Sequence, residues 1–392
     1  MLRILHRVVQ VVTALVLGLA LVPVGQVVPI THAAHPSGLV HPIALTVLPD
    51  AVSRVDSYFA TQERAHNFSG TVLVARGNTV LLSKGYGMAD WSRHIHNSSS
   101  TQFVLPLMGL LQFATAGILQ LEDAGKVREG DRICAYIPQC PAAWAPITVH
   151  ELLVSTSGIH DYNNDSSFDG SGQGQSFTLA RLVSQIGTFP LDYKPGTNCC
   201  SNSDQNAPIE AYMVERISGE PFGTYLQRHF LAPLGLTHTG YFLHHPPALP
   251  QLAVGYQSWQ SPESANDLSS WGGVIYSTPT DFYHWEHALL TGRVLSTAST
   301  AKLLTPAFTY CPPQCPASFT NQASSAGQVL YSWRGVRIVL LWAYGAGPNG
   351  GPSVFAGFVA YYPATNITAM VFDNLQNYAW FQSARIAPLI FG

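Results

Sequence analysis

Apolar and polar positions follow two different periods along this chain, and each change of period marks an element. Residues 45–67, LTVLPDAVSRVDSYFATQERAHN, set Val47, Val52, Val55, Tyr58 and Phe59 on one side at helical spacing, which predicts an amphipathic helix. Two β-like runs follow, GTVLVARG (70–77) and TVLLSKGYGMADW (79–91). They meet across Gly77-Asn78, a pair suited to the left-handed backbone of a tight hairpin. Helical patterning then dominates from about 105 to 310.

The clearest helix signal is STPTDFYHWEHALLTG (277–292). Thr278 is placed to cap it, Pro279 to open it, Asp281 to sit three residues past the cap and Gly292 to stop it. From about 328 the runs QVLYSWRGVRIVLLWAYG, FAGFVAYYP and NITAMVFDN read as three further strands, and NLQNYAWFQSARIAPLIF closes the chain as a helix.

Strand material at both ends around a helical middle is packed most simply as one antiparallel sheet flanked by the N- and C-terminal helices, with an all-helical part inserted. The expected class is therefore α/β in the α+β sense. Residues 45–103 and 326–392 form the α/β part, and 104–325 the mainly helical part, of one domain over 45–392.

Composition narrows the picture. Apolar residues make up 47% of the 392 and charged residues only 10%, which excludes a disordered chain. A formal net charge of −3 with no basic run excludes nucleic acid as the main partner. The N-terminus carries Arg3 and Arg7, an uncharged apolar run from Val8 to Ile30, and THA before Ala34, which is the pattern of an export signal over 1–33. Left uncleaved, the same run is long enough for a membrane anchor. Its removal takes two Arg and no acid, leaving 17 basic against 22 acidic side chains, a net of −5. Oxidised cysteines suit an exported chain. Cys134 with Cys140, and Cys311 with Cys315, are spaced to close short loops. Cys199 and Cys200 are adjacent, and fifteen pairings of the six remain open.

Several segments, in order, resemble landmarks of one family: FSGTVLVARGNTVLLSKGYGMADW, GILQLEDAGKV, ITVHELLVSTSGIHDY, ERISGEPFGTYLQRHFLAPLGLTHTGYF and WGGVIYSTPTDF. The family is the serine β-lactamase and penicillin-binding-protein superfamily, in its class C, D-Ala-D-Ala carboxypeptidase and esterase branch. The resemblance runs from about 47 to 385. It implies an α/β sheet domain with a helical domain, a cleft between them, and no cofactor.

The resemblance also implies three motifs. A Ser-x-x-Lys opens a helix, so that the lysine can take the serine's proton; a Tyr-x-Asn assists; a Lys- or His-containing Gly-rich strand lines the oxyanion site. In TQFVLPLMGLLQFATAGILQLEDAGKV (101–127), counting forward from Phe103 puts the first motif on Leu107 and Leu110. Counting back from Phe113 puts it on Met108 and Leu111. Neither register supplies a hydroxyl or an amine. After YKPGT the chain reads NCCSN, with Cys200 at the tyrosine position and Asn202 retained. After LLWAYG, Ala346 stands where His or Lys is usual, followed by Gly347. Degeneracy at all three frames describes a pseudoenzyme. The positions Met108, Leu111, Cys200, Asn202, Ala346 and Gly347 then become candidates for ligand binding, with Met108 and Leu111 packed as core or as the floor of an apolar pocket.

Rival sites are few. With only Lys84, Lys126, Lys194 and Lys302 present, a relocated Ser-x-x-Lys is confined to Ser299 and Lys302, whose plainer reading is a solvated helix face. Ser157, His160 and Asp161 crowd into SGIHDY, but triads are assembled from separated segments, so a structural turn is the better reading. Cys200 is a substitute nucleophile only if something lowers its thiol pKa. His284 and His287 lie three apart with Glu286 between them; no third ligand is evident, so no metal is expected. The partners these readings leave are a small molecule or cell-wall peptide in the cleft, a protein partner, and a membrane only through an uncleaved N-terminus.

Overall fold

The computed structural model describes residues 45–105, 108–161, 178–197, 206–243, 248–262, 273–309, 322–334, 336–346, 352–375 and 379–392. All of them belong to the unit Pro42–Gly392. The chain enters through α1 (Ala51–Arg64), the hairpin β1 (Gly70–Arg76) and β2 (Thr79–Tyr86), and a small ribbon of β3 (Met88–Asp90) with β4 (Ile95–His96). Then come β5 (Phe103–Leu105), α2 (Met108–Asp123), α3 (Val149–Leu153), α4 (Leu179–Ile186), α5 (Asn206–Ser218), α6 (Phe222–Leu226) and α7 (Ala232–Leu234). The short strands β6 (Gly240–Phe242), β7 (Tyr256–Ser258), β8 (Ser261–Pro262) and β9 (Val274–Ser277) lead to α8 (Pro279–Leu290) and α9 (Thr297–Leu304). The last part is β10 (Phe308–Thr309), β11 (Gln322–Ser325), β12 (Gln328–Trp333), β13 (Val336–Ala346), β14 (Pro352–Tyr362), β15 (Ile367–Asp373) and α10 (Ala379–Phe391).

Eight strands form one sheet in the order β10-β11-β12-β13-β14-β15-β1-β2, and every pairing in it is antiparallel. N- and C-terminal strands thus meet at the β15–β1 pair, as the sequence pattern requires. The central strands of this sheet are covered on both faces, whereas the edge strand β2 is largely exposed. Val72 and Val74 of β1, with Ala369 and Val371 of β15, face a layer made by Phe59 of α1 and Ile386 and Ile390 of α10. The alternate residues Leu73 and Ala75, Met370 and Phe372 face the helical side. Two-sided burial is why these strands read as nearly unbroken apolar runs.

Two differences from the sequence expectation have local causes. The run 328–345 is not one strand but two, β12 and β13, paired antiparallel, with Arg334 in the left-handed region at φ 49°. The turn falls at the sequence pair Arg334-Gly335, between two strand-like runs that read as one. Within the inserted segment, β5, β9 and β6 form a three-stranded sheet whose members are only three or four residues long, too short to show a period. The α8 signal is realised as read: the Thr278 side chain accepts from the Asp281 backbone N–H, and Gly292 is left-handed at φ 75°.

Helix α2 lies at the junction, packed against α5 on one side and against β13 and β9 on others. Gly117 allows its close approach to α5, since a Cβ there would come within 2.8 Å of Val214 Cγ2. Cys134 and Cys140 are joined by a disulfide near this body. Among the described residues no helix is long and apolar enough to cross a membrane, and the N-terminal segment 1–33 lies outside them.

Candidate functional site

Helix α2 begins at Met108, directly after β5 and the two residues that follow it. Met108 and Leu111, the pair of one register, stand three apart at the start of the described helix and therefore on one face, while Leu107 of the other register lies outside the described residues. Leu111 is half-buried and packs against the large core. Ala346 ends β13 and pairs with Pro352 of β14 past an irregularity in the register. Cys200, Asn202 and Gly347 lie outside the described residues, as do Leu107 and the pair Cys311 and Cys315. Helix α2 packs against both α5 and β13, the strand that ends at Ala346.

Behind Leu111 the helix is polar at two buried positions, and both are bonded. Gln112 donates Nε2 to the Gly327 carbonyl at 3.0 Å and accepts from Gln328 Nε2 at 3.2 Å. Thr115 donates its hydroxyl to Glu210 Oε2 of α5 at 2.7 Å. Glu210 is fully buried, and its Oε1 has no partner among the described residues. Burial pushes its carboxyl up to about 8, against the weaker lowering pull of the Thr115 bond. Glu210 is therefore an uncharged acid at neutral pH, one turn beyond Asn206. Its only signal in the sequence is a lone acid inside the apolar stretch NAPIEAYMV.

The rival sites are tied up elsewhere. Ser157 is fully buried and donates to Asn206 Oδ1 at 2.7 Å, while Asn206 Nδ2 donates to the Leu152 carbonyl at 2.9 Å. His160 instead bonds Asp192 through Nδ1 at 2.6 Å, and the Asp161 backbone N–H donates to the same carboxylate. These bonds fasten the SGIHDY turn to α5 and to the segment after α4. Ser299 donates to Asp123 Oδ1 at 2.7 Å, whereas Lys302 Nζ lies 2.6 Å from both Glu122 and Glu129. Partial burial pulls the Lys302 ammonium down, but its bonds to the two carboxylates outweigh this and hold it above its usual value. A general base needs the opposite shift.

His284, His287 and Glu286 do not converge either. His284 is exposed and His287 half-buried, whereas Glu286 is buried on the opposite side with no partner for either oxygen among the described residues. Burial pushes Glu286 up to about 8. No group of three or more metal-ligating side chains occurs among the described residues.

A family model described as Beta-lactamase matches residues 55–386. The penicillin-binding protein PbpX of Bacillus subtilis (strain 168) is 33% identical over 244 residues, covering 61% of this chain and 59% of that protein. The teichoic acid D-alanine hydrolase of Staphylococcus aureus is 25% identical over 264 residues, covering 65% of this chain and 59% of that protein. The chain thus matches somewhat under two thirds of the length of these relatives. The crystal structure of a penicillin-binding protein from Bacillus halodurans has the same fold, with a TM-score of 0.70 at 22% identity, over 84% of this chain and 98% of that one.

Proposed function

The chain belongs to the β-lactamase family, and from that premise we propose that it is an exported, catalytically silent member that holds a ligand where its relatives cut one. The observation that carries this reading is the opening of α2. In either register, Met108 with Leu111 or Leu107 with Leu110, apolar side chains occupy the two positions where the family's chemistry calls for a hydroxyl and an amine. Cys200 and Ala346 replace the assisting tyrosine and the strand's His or Lys. The hydroxyl and ammonium groups that a relocated site would need are spent on Asn206, Asp123, Glu122 and Glu129.

What the cleft would retain is Asn202, the backbone around Gly347 and an apolar wall from Met108, Leu111 and Ala346. That set suits a cell-wall peptide or an apolar small molecule better than an ion. Export is supported by the N-terminal charge and apolar pattern, and by a disulfide between Cys134 and Cys140, which an oxidising compartment sustains.

The test is turnover of a chromogenic cephalosporin, a p-nitrophenyl ester and a D-alanyl-D-alanine peptide, paired with equilibrium binding of the peptide. The reading expects hydrolysis no faster than buffer, with binding that Ala346→Trp weakens. Hydrolysis abolished by Cys200→Ser would replace it with a cysteine-dependent hydrolase. Absence of both hydrolysis and binding would point to a filled cleft and a structural role.

A further inference from the structure

A second concave site lies away from α2, where α8 meets the β1–β2 turn. It is a cleft of about 220 Å³ lined by Asn78, Leu234, Tyr283, His284, His287 and Arg293. At roughly 30 Å³ per water, it has room for a tetrahedral oxyanion and several waters. Its floor is rigid: Tyr283 is buried and donates its hydroxyl to the Gly77 carbonyl, which ties α8 to the hairpin. The rings of His284 and His287 lie 5.7 and 5.8 Å from the Tyr283 ring, so one aromatic holds both imidazoles beside the cleft.

The charge around this cleft is one-sided. No acidic side chain lines it, and among the described residues His284, His287 and Arg293 have no ion-pair partner. Elsewhere in the molecule His150, His160, His229 and His238 each lie within 4 Å of a carboxylate, so the lack of one here is a local property. Partial burial lowers the His287 pKa, and the neighbouring charges of Arg293 and His284 lower it further. The C-terminal dipole of α8 offsets part of this repulsion, yet it acts within the last turn and leaves Arg293, beyond the helix end, without a partner. The guanidinium supplies donors and permanent positive charge, and each neutral imidazole and the Asn78 amide add donors alongside one acceptor atom apiece.

We propose that this cleft binds a phosphate-type oxyanion, taken up either as a free ion or as a phosphodiester of a polymer. Arg293 supplies the permanent charge and a forked donor, His284 and His287 supply ring N–H donors, and Asn78 closes the turn side. The site is separate from the α2 opening, so it stands whether or not the chain is catalytically silent.

The experiment is side-chain NMR of the ¹⁵N-histidine-labelled protein, titrated with inorganic phosphate and, separately, with sodium chloride at matched ionic strength. His284→Gln and His287→Gln assign the two rings. The proposal expects saturable movement of these two rings with phosphate alone. Arg293→Gln should weaken it roughly tenfold, as expected for one lost charge-assisted bond, while Arg64→Gln on α1 leaves it unchanged. Arg293 is exposed, so a circular dichroism spectrum matching wild type is expected to accompany the loss. A parallel titration with a short poly(glycerol phosphate) separates the sources: tighter binding than inorganic phosphate assigns the polymer, weaker binding the free ion. Equal movement with chloride, or undiminished binding by Arg293→Gln, would overturn the proposal.

Discussion

Thr115 of α2 gives its hydroxyl hydrogen to Glu210 of α5 across 2.7 Å, in a place neither side chain shares with solvent. The bond joins the helix that opens at Met108 to the helix that follows Cys200 and Asn202, so it fixes two walls of the proposed cleft relative to each other. Thr115→Val keeps the shape and removes the donor, leaving both Glu210 oxygens unpartnered. A loss of about 1–3 kcal/mol is expected in urea denaturation. Adding Glu210→Met should recover part of it, because an apolar pair of similar shape carries no unmet bonds. An unchanged stability for Thr115→Val would mean the bond contributes nothing.

Gly327 presses on the same threonine from the sheet side. It turns between β11 and β12 at φ 62°, and a Cβ there would lie 2.7 Å from Thr115 Oγ1. Gly327→Ala therefore meets both a left-handed backbone and a clash, and should cost about 2 kcal/mol or more. Thr115→Ala in the same chain removes the Oγ1 and Cγ2 contacts but keeps the backbone strain, and it adds the loss of the Glu210 bond, so it is compared with Thr115→Ala alone. Thermal midpoints of the three variants check this; a Gly327→Ala protein as stable as wild type would refute it.

Stability should fall as pH rises from about 5 to 8. Glu210 and Glu286 have folded-state values near 8, against 4.5 when exposed. Below 4.5 both states bind the protons and nothing is lost. Above it the unfolded chain ionises while the folded chain stays protonated, so unfolding gains roughly 1.4 kcal/mol per pH unit per group until the folded values are passed. Asp373, buried with Oδ2 unpartnered among the described residues and raised by that burial, adds to the same trend. Glu286→Gln should flatten the slope in denaturation measured across this range. An unchanged slope would show that Glu286 is ionised in the folded protein.

Leu111→Lys tests whether the second position of the family motif has become packing. Leu111 is half-buried against the core, so a lysine there desolvates part of its charge with no serine beside it. A loss of about 1–3 kcal/mol is expected. Wild-type stability would show instead that a polar setting for an amine survives at that turn.

These positions also mark where the sequence sufficed and where it did not. The Gly77-Asn78 hairpin and the Thr278 cap were legible because turn and cap chemistry is local. The motif frame around Met108 and Leu111 was legible from neighbouring segments. Glu210 and Glu286 were not legible as buried acids, since their burial is set by α2 and the sheet, distant in sequence. The β12–β13 reversal turns at Arg334-Gly335, a polar-glycine pair that reads as strand because strand-like residues flank it on both sides.

The most direct test of the central claim is intact-mass analysis of the purified protein after separate exposure to a fluorophosphonate and to a penicillin. The account predicts an unchanged mass in both cases, with the folded state confirmed in parallel by circular dichroism. A single-site adduct with either reagent would contradict it, and mapping that adduct would name the nucleophile.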